Sequence, residues 1–113
     1  MEEVRSTTKA KIGIHAHNDS ELAVAVSLAA FEGGAGHIEG TINGYGERCG
    51  NANLCSIIPA LQLKLGIKCL SRAQVSRLTE VSRFVAEVAN LAQHSNLPYV
   101  GSNAFLHLSL IHI

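Results

Sequence analysis

Tryptophan is absent from these 113 residues, and aromatic residues of all kinds make up 4%. Surfaces that stack nucleobases need such rings, so their scarcity argues against single-stranded nucleic-acid binding. An excess of charge of either sign is missing too. Nine Lys+Arg balance nine Asp+Glu, and the formal net charge is zero. A chain without a basic excess has no electrostatic footprint for DNA or RNA, so no nucleic-acid partner is expected. The longest apolar run, residues 22–31, is about half of the roughly 20 residues that a membrane-spanning helix requires, so no membrane partner is expected either. Cys49, Cys55 and Cys69 contain no Cys-x-x-Cys pair. An odd, widely spaced set fits neither a disulfide scaffold nor a zinc ribbon. The opening Met1-Glu2-Glu3-Val4-Arg5 is acidic and lacks the pattern of a secretory leader. A cytoplasmic location with reduced thiols is the expectation.

Apolar residues, by contrast, make up 47% of the chain and charged ones 16%. Such a chain is not disordered, and its segments should be covered on more than one side. The length allows one domain or part of one.

Residues 1–10 are polar and could form the last turns of a helix. Residues 11–17 alternate with period two, which predicts a strand with Ile12, Ile14 and Ala16 on one face. Gly13, His15 and His17 occupy the other face. Asn18-Asp19-Ser20 is rich in helix-capping residues, and residues 20–32 follow as a helix with Leu22, Val26, Ala29 and Ala30 as its expected buried stripe. Gly33-Gly34 ends it. Residues 37–42 form a second strand candidate, and residues 43–50 are a glycine-rich loop. A further helix is expected over residues 51–65, with Leu54, Ile57, Ile58, Leu61 and Leu65 on one side. Pro59 lies inside it, where it can kink the helix. Strand, helix, strand, helix with short links implies a parallel α/β sheet. Residues 71–93 carry Val75, Leu78, Val81, Val85, Val88 and Ala92 at helical spacing and predict one amphipathic surface helix. Pro98 then opens an irregular tail.

Two histidines at i and i+2 on a strand project to the same side, about 6.5–7 Å apart. Neutral imidazoles at that spacing can converge on one divalent cation. His15 and His17 also end their strand, where parallel α/β folds place their active sites. The loop Asn43-Gly-Tyr-Gly-Glu-Arg-Cys-Gly-Asn51 ends the second strand at the same rim. Its glycines allow close approach of backbone to a ligand. Glu47 offers an acid–base group and Arg48 an anion partner, and the two could equally pair to brace the rim. Asn51 offers an amide oxygen, although spacing alone favours a helix-capping role for it. The cysteines read as small packed thiols, His37 as a solvated strand-end residue and His94 as a cation at a helix C-terminus. Arg72, Arg77 and Arg83 read as a solvated helix face.

Ile12-Gly-Ile-His-Ala-His-Asn-Asp19 and Gly40-Thr-Ile-Asn-Gly-Tyr-Gly-Glu-Arg-Cys-Gly-Asn-Ala-Asn-Leu54 closely resemble the DRE-TIM metallolyase superfamily. They look like its branch of 2-isopropylmalate, homocitrate and citramalate synthases. Ser56-Ile-Ile-Pro-Ala-Leu-Gln-Leu-Lys-Leu65 and Pro98-Tyr-Val-Gly101 look most like the citramalate synthases. The resemblance runs from about Glu3 to His107.

It implies a fragment of a (β/α)8 TIM barrel: the last two strand–helix units over residues 1–66, then the start of a helical linker region over 67–107. Such a barrel needs about 250 residues, so more than half would lie outside this chain. His15, His17 and Asn51 then correspond to ligands of a divalent metal (magnesium, manganese or zinc), which reverses the capping reading of Asn51. A further ligand, the aspartate of an Arg-Asp-Gly strand, has no counterpart here. The implied reaction condenses acetyl-CoA with a 2-oxo acid, pyruvate giving citramalate, in branched-chain amino-acid biosynthesis. Glu47 is the candidate for its proton chemistry, and the parent enzyme would be a homodimer. The alternatives are a 2-isopropylmalate or homocitrate synthase fragment, or a non-catalytic metal-binding module.

The chain departs from the family pattern at Val26, where Asn is usual, and in its tail. Ala104-Phe-Leu-His107 leads into Leu-Ser-Leu-Ile-His-Ile instead of a Lys-Gly-Gly segment. His112 falls in register with a family histidine, but residues 108–113 look like translated adapter sequence, so a non-native tail is expected and His112 is assigned no role. The chain alone is expected to be inactive.

Overall fold

The computed structural model describes residues 1–106. His107, His112 and the expected non-native tail lie outside the described residues.

A short helix α1 (Glu2–Thr7) leads into strand β1 (Gly13–His15), helix α2 (Ala23–Glu32) and strand β2 (His37–Glu39). The strands pair in parallel, with Gly13 opposite His37, Ile14 opposite Ile38 and His15 opposite Glu39. Alternation decides which faces are covered. Ile14 and Ala16 turn inward onto a core of Ala16, Ala23, Ala52, Ile57 and Leu61, while His15 and His17 stay exposed. This is the parallel α/β arrangement expected from the order of elements.

Past the strands, segment 50–54 closes the sheet end. His17 bridges Asn51 in antiparallel sense, and Thr41 bridges Asn53 in parallel sense. Asn18 N–H donates to Gly50 O at 2.9 Å, Ala52 N–H to Ala16 O at 3.2 Å and Thr41 N–H to Ala52 O at 2.9 Å. One segment thereby ties both strand ends together. Helix α3 (Leu54–Pro59) follows, capped by the Asn53 side chain, which accepts from Cys55 N–H at 2.9 Å.

Five helical expectations need correction. In α2 the buried residues are Ala23, Ser27 and Ala30, whereas Leu22 and Val26 are 55% and 44% exposed and Ala29 faces outward. Small side chains let the helix approach the sheet and α3 closely, and the Ser27 hydroxyl donates to Ala23 O at 2.7 Å, so it is satisfied when buried. Helix α3 does not continue in α geometry to Leu65. It passes at Ala60 into a π turn (Ala60–Lys64) directly after Pro59, and Leu65 is 44% exposed. The single helix expected over residues 71–93 is two, α4 (Arg72–Val75) and α5 (Leu78–Val88). Ser71 and Gln74 form a reciprocal capping box on α4. The buried line of α5 is Leu78, Ser82 and Ala86, not the larger valines: Val88 is 71% exposed, and Ala92 lies beyond the helix and exposed. Because α5 stops at Val88, His94 lies outside the helix and opens a later turn, its carbonyl accepting from Leu97 N–H at 3.2 Å.

A second core of Cys55, Leu78 and Val100 joins α3 to α5 and the tail, with Ile42, Ile58, Val75, Leu97 and Tyr99 packed around it. Of the three cysteines, Cys55 alone is a packed thiol. Cys49 and Cys69 are exposed, on the rim loop and after the π turn. Burial pushes the Cys55 thiol up from its ordinary pKa. Arg72, Arg77 and Arg83 are solvent-exposed, as expected of a solvated face. Among the described residues no helix is long and apolar enough to cross a membrane.

Candidate functional site

His15 ends β1 directly beside Glu39, its register partner at the end of β2. The Nδ1 atom of His15 lies 2.8 Å from a Glu39 carboxylate oxygen. A carboxylate only accepts, so Nδ1 carries the proton, and the other ring nitrogen, Nε2, is left for a different partner. Glu39 holds the His15 pKa above its ordinary value through this bond. His15 and His37 in turn hold the Glu39 carboxyl below its ordinary range. His37 sits at the start of β2, solvated, with Nε2 3.3 Å from the other Glu39 oxygen.

Nε2 of His15 meets the amide oxygen of Asn51 at 3.2 Å. The orientation of that amide is fixed, because its nitrogen donates to Tyr45 O at 3.0 Å. When His15 is neutral, two lone pairs therefore face each other across 3.2 Å, which calls for a cation or a donor between or beside them. The His17 ring lies next to that of His15, with centroids 5.3 Å apart and planes tilted by 47°. The donors suit a divalent ion of borderline or hard character: two imidazoles, one amide oxygen, and a carboxylate behind the first imidazole that sets its tautomer. Among the described residues no group of three or more His, Cys, Asp or Glu is arranged to hold a metal. This set has two such side chains, with the Asn51 amide oxygen beside the first.

Backbone detail places Asn51. Its N–H donates to Gly44 O at 2.9 Å. A methyl group at Gly46 would run into the Asn51 amide nitrogen, and Gly50, at φ 93°, would drive a Cβ into Gly44 O. Spacing assigns the cap of α3 to Asn51, but Asn53 makes it, and the Asn51 side chain is left for the rim.

The other sequence candidates are arranged differently. The Glu47 carboxylate is exposed and 3.5 Å from Arg48 Nη1. Among the described residues it makes no hydrogen bond to His15, His17 or Asn51. Arg48 is occupied mainly by Asp19, which accepts from Nε at 3.0 Å and from Nη2 at 2.9 Å. That pair holds the Asp19 carboxyl below its ordinary range and pins the start of the α2 approach to the rim loop. Glu39 was not a candidate in the sequence. It owes its place to strand register, and its only sequence signal is its position at the same strand end, 24 residues after His15. A cavity of about 680 Å³ lies elsewhere, at the opposite end of the strands, lined by Arg5, Lys9, Lys11, Gly36 and His37 among others.

Residues 1–85 match the model of the HMGL-like family. The chain belongs to the HMGL-like family. This HMGL-like chain is 53% identical over 113 residues to an (R)-citramalate synthase of Geobacter sulfurreducens, covering 100% of itself and 21% of that protein. With an (R)-citramalate synthase of Aquifex aeolicus the identity is 57% over 103 residues, covering 91% of the chain and 20% of the relative. Homocitrate and 2-isopropylmalate synthases match at lower identity. The chain thus spans about a fifth of the length of the curated relatives it matches. Among solved structures it is similar to the N-terminal domain of a protein described as an aldolase from Bacteroides vulgatus. The TM-score is 0.62 and the identity 26%, covering 90% of this chain and 33% of that one.

Proposed function

We propose that this chain is the metal-holding part of an acyltransferase that condenses acetyl-CoA with a 2-oxo acid, with pyruvate as acceptor and citramalate and free CoA as products. The observation that carries this reading is the convergence of His15 Nε2 and Asn51 Oδ1, with the opposite nitrogen of His15 fixed by Glu39. The identity to proteins named (R)-citramalate synthase supports this choice of reaction. In this reading residues 1–66 are the last two strand–helix units of a barrel, and residues 67–107 begin a helical linker. The complete enzyme is a cytoplasmic homodimer, and its product feeds branched-chain amino-acid synthesis.

His15, His17 and Asn51 would hold the divalent ion, and further donors would come from outside this chain. When bound, the ion supplies Lewis-acid polarisation of the acceptor's keto group. Glu39 keeps the His15 proton on Nδ1 and so presents Nε2 as an unprotonated donor. Gly44 and Tyr45, through their carbonyls, aim the Asn51 oxygen at the same point. Glu47, exposed on the loop and 3.5 Å from Arg48, would exchange protons with a substrate laid over the rim. Arg48 and Asp19 brace the loop that carries it.

The test is release of CoA from acetyl-CoA by the complete protein with pyruvate, 2-oxoisovalerate or 2-oxoglutarate. Pyruvate should be turned over fastest, and the isolated 113-residue chain should give no product. A preference for 2-oxoisovalerate or 2-oxoglutarate would transfer the assignment to the 2-isopropylmalate or homocitrate synthases. No turnover with any of the three would overturn it.

A further inference from the structure

Beneath the rim loop lies a polar knot that the proposed chemistry does not use. Asn43, in the turn Ile42–Gly44, has φ 64°, a left-handed conformation. Its amide nitrogen donates to Ser82 O on α5 at 2.9 Å, and its amide oxygen accepts from the Ser82 hydroxyl at 2.5 Å. The same hydroxyl accepts from Gln93 Nε2 at 2.7 Å. Ser82 is fully buried, so each of these bonds replaces one that water could otherwise make.

The carbonyls of the two residues that follow Asn43 are the ones that place Asn51. Gly44 O receives the Asn51 backbone N–H, and Tyr45 O receives the Asn51 amide nitrogen. Tyr45 O is also fixed by the Thr41 hydroxyl at 2.6 Å. The turn at Asn43 therefore sets the direction of both carbonyls, and α5 sets the turn. The geometry points to Asn43 and Ser82 as positioning residues that clamp the amide oxygen of Asn51 against His15 Nε2, so that α5 governs the candidate metal site from below. This rests on the reading of Asn51 as a ligand for its functional meaning, but the clamp itself is observable without a metal.

The test uses the full 113-residue chain with Asn43→Gly, Ser82→Ala, the double variant and Asn51→Ala. Glycine keeps the left-handed turn and removes the side-chain bonds, so Asn43→Gly remains informative if Ser82→Ala does not fold. The first readout is the 15N resonance of His15 Nε2 in the metal-free chain, well below the unfolding midpoint. Asn43→Gly and Ser82→Ala should each move it in the direction that Asn51→Ala does, and the double variant should move it no further than either. The second readout is Mn2+ affinity, which should fall about tenfold in each, the lower end of the range for residues supporting metal ligands. A His15 resonance that stays at its parent position while the midpoints fall would reduce the knot to a purely stabilising contact and overturn the inference. A His15 resonance that moves in all of these variants while Asn51→Ala leaves Mn2+ affinity unchanged would remove the ligand reading and leave the clamp standing.

Discussion

Asn43 and Asn51 close the two ends of one loop and use the same amide in opposite ways. Asn43 has both amide atoms bonded to α5, and its partner Ser82 is buried. Asn51 has its nitrogen bonded to Tyr45 and its oxygen turned to a ring nitrogen that, when unprotonated, offers it no hydrogen. Among the described residues no buried side-chain polar atom lacks a partner. The underside of the loop is therefore finished as structure, while the rim holds lone pairs that no side chain among the described residues satisfies when His15 is neutral.

The largest effect on this contrast should come from the core beneath the rim. Ile57→Ala removes a residue 2% exposed that packs with Ala16 and Ala52, and should lower stability by about 2–5 kcal/mol, measured by urea unfolding. Gly50→Ala acts on the loop itself. At φ 93° with Gly44 O in the way, the substitution should cost about 1–3 kcal/mol and abolish the His15–Asn51 contact seen in ring-nitrogen spectra. Asn53→Ala removes the cap of α3, about 0.5–2 kcal/mol in thermal unfolding, and should leave that contact in place, separating capping from site.

Changes of pH probe the rim by itself. The His15 pKa is raised above 6.5 by Glu39, so protonation competes with a cation at Nε2. Mn2+ affinity should climb as pH rises through the raised value and flatten above it, and Glu39→Gln should move the climb to lower pH. In the metal-free chain the sign reverses. The His15–Glu39 bond adds stability below the ordinary histidine pKa, and that contribution is lost as pH rises through the raised one. Arg48→Ala should have the smallest effect, since its pair with Asp19 is solvent-exposed. The Asp19 pKa is lowered, so the pair stabilises above 3.8 and its contribution fades as pH falls through the lowered value. Loss of that acid-side slope in Arg48→Ala is the expected signature.

Much of the rim was legible because a half-exposed strand writes its two faces in alternation. Ile14 and Ala16 against His15 and His17 needed only period-two counting. Asn51 and Asn53 could not be told apart, since both precede the same helix and the choice depends on which reaches Cys55 N–H. Glu39 was invisible because its role comes from register across 24 residues, which no local pattern encodes. The buried faces of α2 and α5 were misplaced for one reason. Both helices bury Ala and Ser for close approach, so of the expected stripes Ala30 and Leu78 are buried, and a scale that ranks Leu and Val highest misses the rest. The break between α4 and α5 was hidden because Val75, Leu78 and Val81 keep helical spacing across it.

The meeting of His15 with Asn51 has one more consequence, for how the polypeptide is held shut. The two residues are 36 positions apart, and the segment between them contains all of α2 and β2. An ion shared by both would cross-link that span as a removable clip, and the entropy cost of closing a chain grows with its length. The ion would bind the closed chain and not the open one, so each tenfold increase in its free concentration beyond saturation would add about 1.4 kcal/mol to the folded state. The rim would then serve as a fastening as well as a place for chemistry.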